Sequence, residues 1–217
     1  LNPVVRNAGL PEIPSGISIA LAGSGSSYLY SFCLKYSYVV DGATFLDRGP
    51  VQTYSVPVTG TTISAGNPAA ITGIPAALSS TQNWDAANIK IEIYRTVNNG
   101  DVYYLVDEIS LGTTSYSDET EDADLILNET LYTTGGIQSN DTPPKAKFVH
   151  VVNDFAYYAA IEADEYVVYQ SKAADVDSVP GSFLQRAEQK VKGLSSTFDK
   201  PMVLCERYIY RIDGIIG

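Results

Sequence analysis

Histidine, tryptophan and methionine each occur once, and cysteine twice, in the 217 residues of this chain. Cys33 and Cys205 stand far apart, with no CxxC pair and no metal-type spacing, which argues against a disulfide framework or a zinc site. Each lies in an apolar run, SFCLKY or MVLCER, where a free cysteine acts as a small core hydrophobe. Any Ser-His-Asp scheme would have to use His150, whose surroundings, FVHVVND, read as a strand and not as a cleft loop. GxSxG, HExxH and P-loop motifs are missing. The chain is therefore expected not to be an enzyme, with no catalytic residue, no cofactor-binding residue and no cofactor assigned.

Charge is sparse at 18% against 45% hydrophobic residues, which excludes a disordered polyelectrolyte or a coiled coil. No apolar run approaches 18 residues, so no membrane-crossing helix is expected. The imbalance of charge is strong, at −11. A chain this acidic repels phosphate backbones, so electrostatic binding of nucleic acid is not expected. What the chain has in quantity is tyrosine, glycine and proline, at 16, 17 and 11 residues. That mixture favours strands and turns over helices.

Residues 1–14 carry prolines at 3, 11 and 14 and read as an extended lead-in. Residues 17–21 alternate in strand fashion. From 28 to 40 every even position is aromatic or aliphatic, which puts Tyr28 through Val40 on one face of a strand, with Ser31, Lys35 and Ser37 on the other. Asp41-Gly42 supplies a turn. The run VQTYSVPVTG contains Pro57, which belongs at a sheet edge or a bulge. A short strand is expected around 70–74. NIKIEIYRTV and VYYLVDEI flank NNGD, a strong hairpin signal. The expectation is an antiparallel β-sandwich over 15–127, its core including Phe32, Tyr36, Ile91, Ile93 and Leu105.

The stretch SDETEDAD holds Asp118, Glu121, Asp122 and Asp124, which are weak Ca²⁺ candidates because that ion gathers six to eight oxygens. The spacing does not match an EF-hand loop, and a solvated acidic connector is the favoured reading. Asn128 and Asn140 open glycosylation sequons, read as chance matches because no basic start followed by an apolar stretch is visible. A linker over 128–146 leads to a second β segment over 147–217. There, strands at 147–152, 155–161, 166–171 and 202–212, the last reading as two strands around Glu206-Arg207, would make one β-propeller blade, with 172–200 a polar insertion. One blade cannot bury both its faces, so the sequence is expected to be part of a longer chain.

The string IYRTVNNGDVYYLVDEISLGTTSYSDETED resembles the fibronectin-like insertions of bacteriophage structural proteins, and YLYSFCLKYSYVVDGATF looks like their aromatic strand before a glycine turn. HVVNDFAYYAAIEADEYVVYQSKAADVDSVPGSF and KGLSSTFDKPMVLCERYIYRIDG are similar to propeller strands of the tail nozzle (tail tubular) proteins of short-tailed phages. Cys205-Glu206-Arg207 departs from the pattern, standing where a Phe-Lys-Glu-like turn would be more usual. The resemblance implies a virion structural protein of the phage tail. It would form a homo-oligomeric ring, hexameric in that family, which contacts other tail or neck proteins such as an adaptor and passes DNA without specific binding. Its location would be the virion, and the host cytoplasm during assembly, with no membrane partner.

Two other readings stand beside this one. A glycan-binding or adhesin-type sandwich could stack sugars on Trp84 and exposed tyrosines. A glycosidase could pair acids such as Asp118 and Glu162, although nothing in the sequence brings the two together.

Overall fold

The computed structural model describes residues 8–40, 42–78, 84–131 and 140–214. The chain is almost entirely β, arranged in antiparallel sheets, and divides into two compact units, Leu1–Tyr132 and Thr133–Gly217.

The first unit holds β1 (Ser18–Ala20), β2 (Ser26–Val40), β3 (Ala43–Arg48), β4 (Gln52–Gly60), β5 (Ala69–Thr72), β6 (Ile89–Thr96), β7 (Tyr103–Ser110) and β8 (Ser115–Asp118). A single turn of helix, α1 (Asp122–Leu125), follows. The 15-residue β2 organises the larger sheet. One of its edges pairs with β4 along its first half and with β3 along its second, while the other edge pairs with β6, which in turn pairs with β7. The smaller sheet runs β1-β5-β8.

Period-two patterning works here as expected: Tyr28, Tyr30, Phe32, Leu34 and Tyr36 are buried on one face of β2. They share a single core with Ile89, Ile91 and Ile93 of β6 and Ala69 and Ile71 of β5, so the two sheets bury a common interior. The lead-in also contributes, through buried Leu10 and Ile13. Pro57 sits where the β2–β4 register slips between Tyr28 and Tyr30, on the strand edge that needs no ladder donor. β3, which the sequence reading passed over, is the return arm of the hairpin at Gly42.

Leu105 is a correction. The β6–β7 register shifts between Ile93 and Tyr94, so Leu105 lies opposite Tyr94 instead of alternating with Ile109. A one-residue bulge turns a strand's side chains over to the other face. Leu105 accordingly packs outside the main core, with Cys33, Tyr94 and Leu131.

The second unit contains β9 (Ala146–Val152), β10 (Phe155–Ile161), β11 (Val167–Gln170), β12 (Leu184–Arg186), β13 (Val191–Thr197), β14 (Lys200–Cys205) and β15 (Ile209–Arg211). β9 to β12 form a four-stranded meander and β13 to β15 a three-stranded one. The two share a core of Tyr157, Ala159, Val168, Val191, Val203 and Ile212. Two hairpins turn through pairs of residues at positive φ, Asn153-Asp154 (51° and 63°) and Phe198-Asp199 (46° and 60°). Both are primed turns, whose twist matches that of the flanking strands.

The expected place of 202–212 in one sheet with 147–171 is a second correction, although its division into two strands around Glu206-Arg207 is as expected. That segment is two strands, β14 and β15, in the other sheet, and the four-stranded sheet is completed by β12 from within the supposed insertion. All three residues of β12 are exposed, so it carries no apolar alternation to read.

Candidate functional site

Three buried polar clusters stand out, two in the first unit and one in the second. The first lies at one end of the shared core. Arg95, on the core side of β6, is fully buried, as is Asp118 at the end of β8. Arg95 Nε lies 2.8 Å from Asp118 Oδ2, and its Nη1 2.8 Å from Asp122 Oδ1. Its Nη2 donates to the Thr120 carbonyl at 2.5 Å, and the guanidinium stands 4.8 Å above the Tyr28 ring. Tyr30 Oη donates to Asp118 Oδ2 at 2.7 Å, while burial and this carboxylate push the phenol's pKa up. Asp122 Oδ2 also accepts from the Asn98 amide, which fastens the β6–β7 turn. The cluster thus ties the two sheets together.

This overturns the solvated-connector reading for Asp118, whose carboxylate serves as the counter-ion of a buried arginine. Of the other Ca²⁺ candidates, Asp122 shares Arg95, while Glu121 and Asp124 are exposed. Among the described residues, no three His, Cys, Asp or Glu side chains gather into a metal-ligand set. The signal that could have exposed the pair was Arg95 itself, a cation in phase with Ile91 and Ile93 and so directed inward.

The second cluster occupies the opposite face of the larger sheet. Glu92 is fully buried there, although alternation alone would send it to solvent. Its carboxylate accepts from Arg48 (Nε at 2.9 Å, Nη2 at 3.0 Å), from Tyr94 Oη at 2.9 Å and from Cys33 Sγ at 3.1 Å. Lys35 Nζ lies 3.4 Å away and also contacts Glu108. Burial would raise the Glu92 pKa, but the Arg48 hydrogen bonds and charge outweigh it and hold the carboxyl below its ordinary value. Burial and the same carboxylate push the Cys33 thiol well up, which leaves it a weak nucleophile.

A pH prediction follows from the lowered Glu92. Its contribution to stability is complete above the unfolded-state value of about 4.3 and is lost as pH falls through the lower folded value. Urea midpoints of wild type are expected to fall more steeply below about pH 5 than those of Glu92→Gln. Equal slopes would remove Glu92 from the account.

In the second unit, Lys172 and Asn140 are 2% and 4% exposed. Lys172 Nζ donates to Asn140 Oδ1 at 2.6 Å, and Ser178 Oγ donates to the same oxygen at 2.6 Å. Burial lowers the Lys172 pKa to about 8, against smaller opposing effects of Asp175 and Asp141. Neither sequence reading nor motif found this site. Asn140 is held inside it, so its sequon is closed in the folded chain, whereas Asn128 is exposed.

His150 lies on β9 opposite Tyr157, in a strand as expected, with its Nε2 buried and unbonded. Glu162 is exposed and in a different unit from Asp118. Trp84 is buried edge-on to Tyr36, ring centroids 4.6 Å apart, so it offers no ring face to a sugar. A cavity of about 210 Å³ between the two sheets of the second unit is lined by Val168, Arg186, Val203, Tyr210 and Ile212. It falls short of the roughly 300–1,000 Å³ usual for ligand pockets. Comparison of the chain with protein-family models, curated proteins and solved structures returns no match.

Proposed function

We propose that this chain is a non-enzymatic structural component of a phage tail nozzle or neck ring, through which DNA leaves the virion. The observation that carries the reading is the build of the second unit. A four-stranded meander and a three-stranded meander pack face to face, as successive propeller blades do. Val179 covers the outer face of the first over Ala156 and Tyr158, but apolar residues stay exposed at an edge strand of each: Val149 and Val151 on β9 are 57% and 58% exposed, and Ile209 on β15 is 64% exposed. Patches of this kind suit burial against further blades, supplied by more of the same chain.

The first unit supports the reading through its two sheets around one core, the arrangement of a fibronectin-like β-sandwich. Head-to-tail contacts between identical subunits close into a ring when the rotation permits. An acidic wall would keep phosphates from adhering during ejection, within a screening length of about 8 Å at physiological salt. Electron microscopy of the purified protein tests the reading by whether rings form.

A further inference from the structure

We propose that Lys172 and Asn140 join in an intramolecular isopeptide bond, a covalent staple that forms spontaneously once the second unit has folded. The inference is independent of the nozzle reading and rests on three features of the site.

The first is proximity. An amine and a carboxamide are both withdrawn from water and held 2.6 Å apart, nitrogen to oxygen. Orientation of this kind turns a prohibitively slow bimolecular aminolysis into an intramolecular one. The surrounding backbone fixes the partners before any reaction. Val179 N donates to the Asp141 carbonyl at 2.9 Å, Gly181 N to Asp141 Oδ2 at 2.9 Å, and Lys172 N to the Ser178 carbonyl at 2.8 Å. The 140–141 segment is thereby docked on the loop that carries Ser178.

The second feature is activation of the carbonyl. Ser178 Oγ, itself buried, donates to Asn140 Oδ1. It is placed where negative charge develops when the carboxamide carbon becomes tetrahedral. The third is a proton shuttle. Asp175 bridges Lys172 through the backbone and sits in its electrostatic reach. Burial, reinforced by Asp177, raises the Asp175 pKa above its ordinary value, which makes its carboxylate a better proton acceptor. The lowered Lys172 pKa leaves a useful share of the amine neutral near neutral pH.

The step balances without any co-reactant. The lone pair of neutral Lys172 Nζ attacks Asn140 Cγ, forming the C–N bond and placing charge on Oδ1, which Ser178 steadies. The Asp175 carboxylate takes a proton from Nζ and passes it to the departing Nδ2. The Cγ–Nδ2 bond breaks and one ammonia leaves. The bond closes a loop between positions 32 residues apart and fastens the segment before β9 to the loop after β11.

The test is intact-mass spectrometry of the purified chain followed by tryptic mapping. The wild type is expected to weigh about 17 Da less than its sequence, one ammonia, and to yield a branched peptide joining Asn140 to Lys172. Lys172→Arg, checked for folding by circular dichroism, is expected to restore the full mass. Asp175→Asn is expected to slow bond formation; formation at the wild-type rate would remove Asp175 from the mechanism. A wild type at full mass with two linear peptides would overturn the proposal. So would a 17 Da loss that survives Lys172→Arg or gives no branched peptide, since that would be cyclisation of an asparagine elsewhere.

Discussion

Ile91→Asp is expected to leave the first unit unfolded or insoluble. Ile91 is fully buried on β6, opposite Leu34 of β2 and Ile109 of β7, at the centre of the core the two sheets share. Burying such a side chain is worth about 1.5–3 kcal/mol, all of which the substitution forfeits. The larger effect is the carboxylate, which would enter a site where apolar neighbours offer it no cation. An unpaired buried charge costs several kcal/mol more, against a total domain stability of about 5–15 kcal/mol. Circular dichroism and the urea midpoint of the variant check this. A variant that melts with the wild type would mean that the faces of β6 are reversed.

Arg95→Met is expected to cost about 3–5 kcal/mol, the penalty usual for removing one partner of a buried ion pair. Asp118 would keep its burial and the Tyr30 hydroxyl but lose the Arg95 guanidinium, and Asp122 would lose its hold on β6. The double variant Arg95→Met, Asp118→Leu should recover much of the loss, because the stranded charge is then gone. Chemical denaturation of the three proteins decides the matter. A single variant within about 1 kcal/mol of wild type would show that the cluster is solvated in practice.

How far the sequence could be read depended on how each residue announces itself. β2 was legible because every even position from 28 to 40 is aromatic or aliphatic, and no helix places Tyr28, Tyr30, Phe32, Leu34 and Tyr36 on one side. The turns at NNGD and Asn153-Asp154 were legible because both hold residues that accept positive φ at little cost. Leu105 was misplaced because a bulge is a tertiary event that alternation cannot register. β12 was missed because an exposed three-residue strand is specified by its neighbours and not by its own pattern. Polar residues were the hardest to place. Glu92 and Asp118 look like surface carboxylates until the fold brings in their arginines, Arg48 from β3 on the far side of β2 and Arg95 from the facing sheet. The Lys172–Asn140 site was invisible for the same reason: its members lie 32 positions apart, and the sequon that Asn140 opens says nothing of Lys172.

Negative-stain electron microscopy of the purified protein is the most direct test of the central proposal, that this chain packs into a ring. The account predicts closed rings of uniform size with a central opening. A field of compact, single-chain particles at every concentration examined would contradict it.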